Sequence, residues 1–158
     1  MTHDPAAINA MFEEVSLGAP QHAPGFVMWR VVHRYQRAMD AALRDLDLTH
    51  LQFVTLALVA WLGREGGAGT QADIARMGDI HPMQVSLMLK ALQAKGMVHR
   101  QTAKGAGPAK QVHVTAAGLK ALRGAMPRAI DVQRTLFGPA GLPGGELLRM
   151  LNAIDAEA

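Results

Sequence analysis

Hydrophobic residues recur at helical spacing through most of the chain and predict a largely helical protein. From about residue 25 to 46, apolar side chains return every three or four positions, which is typical of a long amphipathic helix. The stripe predicted to be buried on it consists of Met28, Val31, Val32, Tyr35, Met39, Ala42 and Leu46. The next stretch, 50–62, is apolar on nearly all sides and is the predicted core helix.

Helix-start signals divide the middle of the chain. Thr49 precedes Gln52 by three residues, the spacing of a capping box, and starts the core helix. Thr70 is the predicted N-cap of a short helix that runs to residue 77, with Asp73 at the favoured third position. After a tight turn, Pro82 suits the first position of a further helix through residue 95.

A β-hairpin is predicted after this helix. The runs 97–101 and 111–115 are strand-like, and the residues between them are rich in Gly, Pro and Lys. Thr115 caps a long helix toward residue 137, which Pro127 is expected to bend or interrupt. A last helix is predicted at about 146–156, and residues 1–24 form an arm with a short helix near residues 9–15.

This order of elements predicts a mainly α (α+β) fold, a winged helix–turn–helix between long N- and C-terminal helices. We assign residues 1–24 to an N-terminal arm, 25–47 and 116–158 to a helical dimerisation region, and 48–115 to the winged helix–turn–helix. Its two short helices should meet along an apolar seam of Ile74, Ala75, Val85, Leu89 and Leu92.

Charge is distributed unevenly along the sequence. The chain of 158 residues has a formal net charge of +3, with 16 basic and 13 acidic residues. Residues 80–130 contain no Asp or Glu but eight basic residues, so the rest of the chain carries 8 basic against 13 acidic residues. A segment of this kind attracts polyanions, because each neutralised phosphate releases a condensed counterion, and it indicates a nucleic-acid partner.

Several other classes of protein are disfavoured by the sequence. It contains no cysteine, which excludes disulfides and thiol-based redox sensing. No apolar run reaches the roughly 20 residues of a membrane span, and the N-terminus lacks signal-peptide features. The sequence has no cysteine nucleophile, no phosphate-binding glycine loop and no metal-protease motif, so we expect neither catalysis nor a cofactor. We expect a cytoplasmic protein without a membrane partner.

The sequence resembles the MarR family of bacterial transcription regulators over about residues 25–156. The stretches that carry the resemblance are Leu48-Thr49-His50-Leu51-Gln52-Phe53, Thr70-Gln71-Ala72-Asp73-Ile74-Ala75, Val85-Ser86 with Leu92-Gln93-Ala94-Lys95-Gly96-Met97-Val98, and Val114-Thr115-Ala116-Ala117-Gly118. The resemblance implies a homodimer on double-stranded DNA at a pseudo-palindromic operator. It also implies a repressor that is released when a small aromatic or phenolic acid binds.

The sequence departs from the family pattern in two elements, the wing tip and the recognition helix. Ala106 and Pro108 stand where the wing tip usually has an Asp-x-Arg pair, and Leu87 stands where the recognition helix often has Arg. Lys104 and Lys110 are the expected replacements as phosphate contacts. Leu87 is suited to a thymine methyl group.

The predicted DNA contacts lie on the two short helices and the wing. Gln84 is the leading base reader, because its amide can pair bidentately with adenine. Met83 is expected against a thymine methyl group or a sugar, and Ser86 against a base or a phosphate. The full predicted set is Thr70, Gln71, His81, Met83, Gln84, Ser86, Leu87, Lys90, Arg100, Lys104 and Lys110.

Arginines on one side of the first long helix permit two interpretations. Arg30, Arg34, Arg37 and Arg44 either pair with Asp40, Glu13, Glu14 or acids of a second subunit, or hold the carboxylate of an effector. The second interpretation predicts an effector site made of Phe26, Trp29, Arg30, His33, Arg34 and Trp61.

Two further functions stay open. A winged helix that lacks the usual arginines could be a protein-interaction module that does not read DNA. His99 and His113 are symmetric about the wing centre and could form half a zinc site, as in a metal-responsive regulator, although solvated or phosphate-facing histidines are the simpler interpretation and no metal is assigned.

Overall fold

The structure, a computed structural model, describes residues 4–102 and 110–156. The chain forms two compact units that divide within its second helix, one ending at Arg37 and the other beginning at Ala38. The first unit contains α1 (Pro5–Val15), a 3-10 turn (Pro20–His22) and most of α2 (Pro24–Leu43). The α1 helix begins four residues earlier than the sequence predicts, because Asp4 caps the Ala6 amide and Pro5 occupies the first helical position.

The second unit contains the remaining elements. After a 3-10 turn (Arg44–Leu46) they follow in this order: α3 (His50–Gly63), β1 (Gly69–Thr70), α4 (Gln71–Gly78), α5 (Pro82–Ala94), β2 (Val98–Thr102), β3 (Lys110–Val114), α6 (Ala116–Phe137), a 3-10 turn (Pro139–Gly141) and α7 (Glu146–Ala156). The predicted helix and strand bounds of this unit agree to within a residue or two. Lys104, Ala106 and Pro108 lie outside the described residues.

The core of the second unit lies around α3. Phe53, Leu56 and Val59 of this helix are buried, as its apolar sequence predicts. The predicted seam between α4 and α5 is also confirmed, since Ile74, Ala75, Val85, Leu89 and Leu92 are buried. Burial of each of the four larger side chains, all but Ala75, contributes roughly 1.5–3 kcal/mol, so this seam fixes α5 firmly against α4.

The wing is a three-stranded antiparallel sheet in the order β1-β3-β2. The β1 strand was not predicted, because two residues show no periodicity. It pairs Gly69 with Val112 and Thr70 with Gln111. A Cβ atom at Gly69 would lie 2.4 Å from Cδ1 of Leu62, so a larger residue there would displace the Leu62 side chain. This strand ties the start of α4 directly to the wing.

Pro127 does not interrupt α6, so of the two predicted outcomes, a bend or an interruption, the interruption is wrong. The helix continues from Ala116 to Phe137. Leu122 and Ala125 before the proline and Ala129 after it are buried in the second unit. Packing on both sides offsets the backbone hydrogen bond that proline cannot donate.

The stripe predicted to be buried on α2 is only partly buried within the single chain. Tyr35, Ala42 and Leu46 are half-buried, and the prediction is wrong for the N-terminal half of the stripe. Met39 is buried, but the exposed fractions of Met28, Val31 and Val32 are 45%, 38% and 43%. Apolar periodicity identifies a face that needs covering but not the molecule that covers it. Other exposed apolar side chains follow the same helical spacing on α1, α6 and α7: Ile8, Met11, Phe12, Val15, Leu119, Met126, Ile130, Met150, Leu151 and Ile154.

No single helix among the described residues has both the length and the hydropathy of a membrane span. One bent pair of helices, 5–46 with 50–63, meets that criterion by length and composition.

Candidate nucleic-acid interface

The α4 helix starts at a complete capping box. The amide of Asp73 donates to Oγ1 of Thr70 at 3.2 Å, and the amide and hydroxyl of Thr70 donate back to Oδ2 of Asp73 at 2.9 and 2.8 Å. Oδ1 of Asp73 accepts from Arg76 at 2.7 Å. These bonds, first those from Thr70, hold the pKa of Asp73 below its ordinary value. The Thr70 hydroxyl is therefore occupied in capping, while Gln71 and Ala72 follow it on the first turn.

A side-chain amide joins α4 to the start of α5. Nε2 of Gln71 donates to the carbonyl oxygen of Pro82 at 3.1 Å. At the same end of α5, the Met83 amide donates to Nδ1 of His81 at 3.2 Å, so His81 is the N-cap. An imidazole that accepts at Nδ1 carries its proton on Nε2, which leaves a donor for an anion at this helix start.

The outer face of α5 combines apolar, amide and basic side chains. Met83 and Leu87, one turn apart, are 68% and 56% exposed. Gln84 and Lys90 are exposed beside them. Ser86 is half-buried, and the buried residues of α5 lie on the opposite face. The structure thus places the predicted base-reading residues on one accessible helical face.

A groove of about 430 Å³ lies where α4, α5 and the wing meet. Thr70, Gln71 and Pro82 line its helix side, and Arg100 and Lys110 line its wing side. Nη2 of Arg100 donates to the Ser86 carbonyl oxygen at 3.4 Å, while its buried Nε has no hydrogen-bond partner among the described residues. Two cations and an amide around one groove suit a phosphate group.

Folding reduces the positive charge that the acid-free segment offers. Lys95 forms an ion pair with Asp47 at 3.2 Å and donates to Oε1 of Gln52 at 3.1 Å. Nη1 and Nη2 of Arg128 donate to Oδ1 and Oδ2 of Asp45. These hydrogen bonds hold the pKa of the Asp45 carboxyl below its ordinary value. Asp45 and Asp47 lie before the acid-free segment 80–130 in the sequence. In the folded chain they contact this segment and neutralise two of its cations. Among the described residues, Lys90, Arg100 and Lys110 line the grooves beside α5 and the wing.

Part of the predicted effector site forms a cluster on α2. The rings of Phe26 and Trp29 stack with centroids 6.3 Å apart, and those of Trp29 and His33 are 4.3 Å apart. The Arg30 guanidinium lies 5.9 Å from the Phe26 centroid, and Arg34 is exposed. Among residues 4–102 and 110–156, the ion pairs do not include Arg30, Arg34, Arg37 or Arg44, so the predicted intrachain pairing of this stripe is not found there.

Trp61, the remaining predicted effector residue, belongs to the second unit. The residue is 52% exposed, and the Arg64 guanidinium lies 3.9 Å from the centroid of its ring. Arg64 also donates to the Trp61 carbonyl oxygen and pairs with Glu65 at 2.8 Å. Sequence reasoning missed Arg64, although its position three residues after Trp61 signals such a contact on a helix.

His99 and His113 face each other across the wing, as their symmetric positions predict. They are directly paired in the register, and their rings stack with centroids 4.9 Å apart at an angle of 13°. Nε2 of His113 is buried without a partner in the described part of the chain. No group of three or more His, Asp or Glu residues among those described is placed to hold a metal ion.

Comparisons with known proteins agree with this architecture. No protein-family model matches the chain. It is 28% identical over 121 residues to the uncharacterized HTH-type transcriptional regulator YdcH of Bacillus subtilis (strain 168), which covers 77% of this chain and 82% of that protein.

Solved structures show the same fold. CouR of Rhodococcus jostii RHA1, solved with p-coumaroyl-CoA, superposes with a TM-score of 0.76 at 20% identity over 87% of this chain and 93% of its own. MepR of S. aureus, solved with DNA, gives 0.75 at 20% identity over 86% and 98%. A MarR-family regulator of Rhodococcus sp. RHA1 gives 0.71 at 20% identity over 84% and 89%.

Proposed function

We propose that this chain, whose winged helix–turn–helix fold is that of MarR-family regulators, is a DNA-binding transcriptional regulator and not an enzyme. The observation that carries the proposal is the exposed face of α5, which lies beside the groove lined by Arg100 and Lys110. A helix with accessible amide and apolar side chains fits the major groove, while flanking cations meet phosphates. Such a regulator acts on chromosomal DNA in the cytoplasm.

A homodimer is part of this proposal. Residues 25–47 and 116–158 are assigned to dimerisation, and residues 48–115 to DNA binding. Exposed apolar side chains at helical spacing, such as Val31 on α2, Ile130 on α6 and Ile154 on α7, support a second copy as their cover. Because a two-fold dimer presents two identical α5 helices, its operator is pseudo-palindromic, with half-sites about one helical turn apart.

A mobility-shift experiment tests DNA binding. The full chain is titrated onto duplex DNA flanking its own gene, with an excess of random-sequence duplex as competitor. We expect a shifted complex that survives the competitor and contains two chains per duplex by sedimentation. If the competitor removes the complex completely, the binding is non-specific, and that result would contradict the proposed regulator function.

The effector is proposed to be a small aromatic or phenolic acid whose binding releases a repressor from DNA. Phe26, Trp29 and His33 provide an aromatic surface, with Arg30 and Arg34 available for a carboxylate. That CouR was solved with p-coumaroyl-CoA supports an aromatic acyl group as a ligand of this fold.

Tryptophan fluorescence tests the effector proposal. A panel of aromatic acids is titrated onto the parent and onto the Trp29→Phe and Trp61→Phe variants. We expect quenching by at least one acid, a smaller response in Trp29→Phe, and weaker DNA binding at saturating acid. A panel without any response, or quenching that leaves DNA affinity unchanged, would contradict an effector-released repressor.

A protein-interaction module is the second candidate function. It is favoured by Leu87, whose exposed apolar side chain takes the place of the usual arginine. In that case α5 binds a protein partner, and no duplex is preferred in the mobility-shift experiment. A metal-responsive regulator, in contrast, would show DNA affinity that depends on zinc and is lost with a chelator.

A further inference from the structure

The first two turns of α5 present an apolar surface to solvent. The exposed fractions of Met83 and Leu87 are 68% and 56%, and Leu87 follows Met83 by four positions, so both lie on one side of the helix. Val85, Leu89 and Leu92 are fully or almost fully buried on the opposite side. Met83 and Leu87 therefore do not pack in the core, and their side chains are accessible to a partner.

Charged side chains are absent from this part of the helix. Residues 82–89 include no Lys, Arg, Asp or Glu, and the first cation on the face is Lys90. The Arg100 guanidinium, which contacts α5 from the wing, donates to the Ser86 carbonyl oxygen, and Arg100 is half-buried. The bidentate pairing of Arg or Lys with guanine, the commonest specific contact in the major groove, is therefore not offered by residues 82–89.

We propose that Met83 and Leu87 read the C5 methyl groups of thymines, while Gln84 beside them pairs with adenine. This specificity rests on the proposed DNA binding. Charge identifies the occupant of the surface as DNA, because Lys90 continues the same helix face and Lys110 lines the adjacent groove. The preferred half-site accordingly contains A·T pairs at the positions under the first two turns of α5.

The chemistry of the major groove makes this readout distinctive. Among the four unmodified bases, only thymine carries a methyl group there, and apolar side chains are its partners. Replacing thymine with uracil removes that methyl group and preserves the Watson–Crick pair. Loss of one methyl contact should weaken binding about fourfold.

The experiment begins with selection of duplexes from a random-sequence pool by the full-length chain. Each thymine of the best duplex is then replaced singly by uracil, and affinities are measured for the parent and for Met83→Ala and Leu87→Ala. Both side chains are exposed, so the variants should keep the parent fold and melting temperature. Met77→Ala is the matched control, because Met77 is 48% exposed on α4, outside this face.

We expect one or more thymines per half-site at which uracil weakens binding of the parent about fourfold. That penalty should disappear in Met83→Ala or Leu87→Ala and persist in Met77→Ala. A selected duplex that tolerates uracil at every position would overturn methyl readout while DNA binding stands. A penalty that persists in both α5 variants would overturn the assignment to these residues. Failure to select any duplex would instead refute the proposed function.

Discussion

Gln71 and Pro82, the first residues of α4 and α5, are joined by a hydrogen bond of 3.1 Å from the side-chain amide to the main-chain carbonyl oxygen. The bond fixes the entry of α5 relative to the helix that supports it. Nε2 of Gln71 has a second N–H, which remains available for the phosphate predicted from the sequence. One side chain can thus orient α5 and contact the DNA backbone.

Replacing Gln71 with Met tests the orienting role, because Met has a similar volume but no donor. We expect the free energy of unfolding to fall by about 1 kcal/mol in urea denaturation. Discrimination between the selected duplex and random DNA should narrow, since α5 is less firmly held. If the variant has unchanged stability and loses affinity equally for all duplexes, Gln71 contacts a phosphate but does not orient α5.

Protonation of Asp73 should weaken the start of α4. Its pKa is lowered by hydrogen bonds from Thr70 and Arg76, so the stabilisation is present above the ordinary value of 3.8 and is lost as the pH falls through the lower folded-state value. Asp73→Asn should lower the free energy of unfolding by about 1 kcal/mol at pH 7. The difference from the parent should shrink to zero in acid, and a difference independent of pH would contradict this role.

Gly118 and Gly124 on α6 should respond to alanine in opposite directions. A Cβ atom at Gly118 would lie 2.2 Å from the Met97 carbonyl oxygen, so Gly118→Ala should cost about 1–3 kcal/mol in urea denaturation. At Gly124 the nearest heavy atoms are Leu46 side-chain carbons at 3.6 and 3.7 Å. Gly124→Ala should therefore stabilise the helix by about 0.5–1 kcal/mol, and equal effects at both sites would contradict the close approach at Gly118.

Lys110 and Gln84 should affect DNA binding in different ways. Lys110→Ala should weaken binding to every duplex and reduce the dependence of log affinity on log salt by about one unit per protomer. Gln84→Ala should keep that slope and relax the preference for adenine at one position. Anisotropy titrations at several salt concentrations distinguish the two, and parent-like binding by both variants would refute these contacts.

Local signals explain why most elements could be predicted from the sequence. The capping boxes at Thr49 and Thr70 and the proline at residue 82 fix helix starts through neighbouring atoms alone. The two-residue strand β1 escaped prediction, because its pairing with Val112 and Gln111 depends on residues more than forty positions away.

The candidate site was less predictable for the same reason. The sequence places Lys95 and Arg128 in an acid-free segment, yet folding brings Asp47 and Asp45 to them. Likewise, the pattern on α2 identifies an apolar face at Val31 and Val32 but not its partner, because a covering surface on a second copy leaves the same pattern as one on the same chain.

The most direct test of the proposed DNA-reading role of α5 is cleavage of the bound duplex from a single tethered reagent. The chain contains no cysteine, so Ala94→Cys, exposed at the end of α5, provides a unique attachment point for an iron–EDTA group. Asp131→Cys on α6, in the proposed dimerisation region, is the control. We expect two clusters of cuts from residue 94, about one helical turn apart, and few from residue 131. A single cluster, or equal cleavage from both positions, would contradict a dimer that seats each α5 in the major groove.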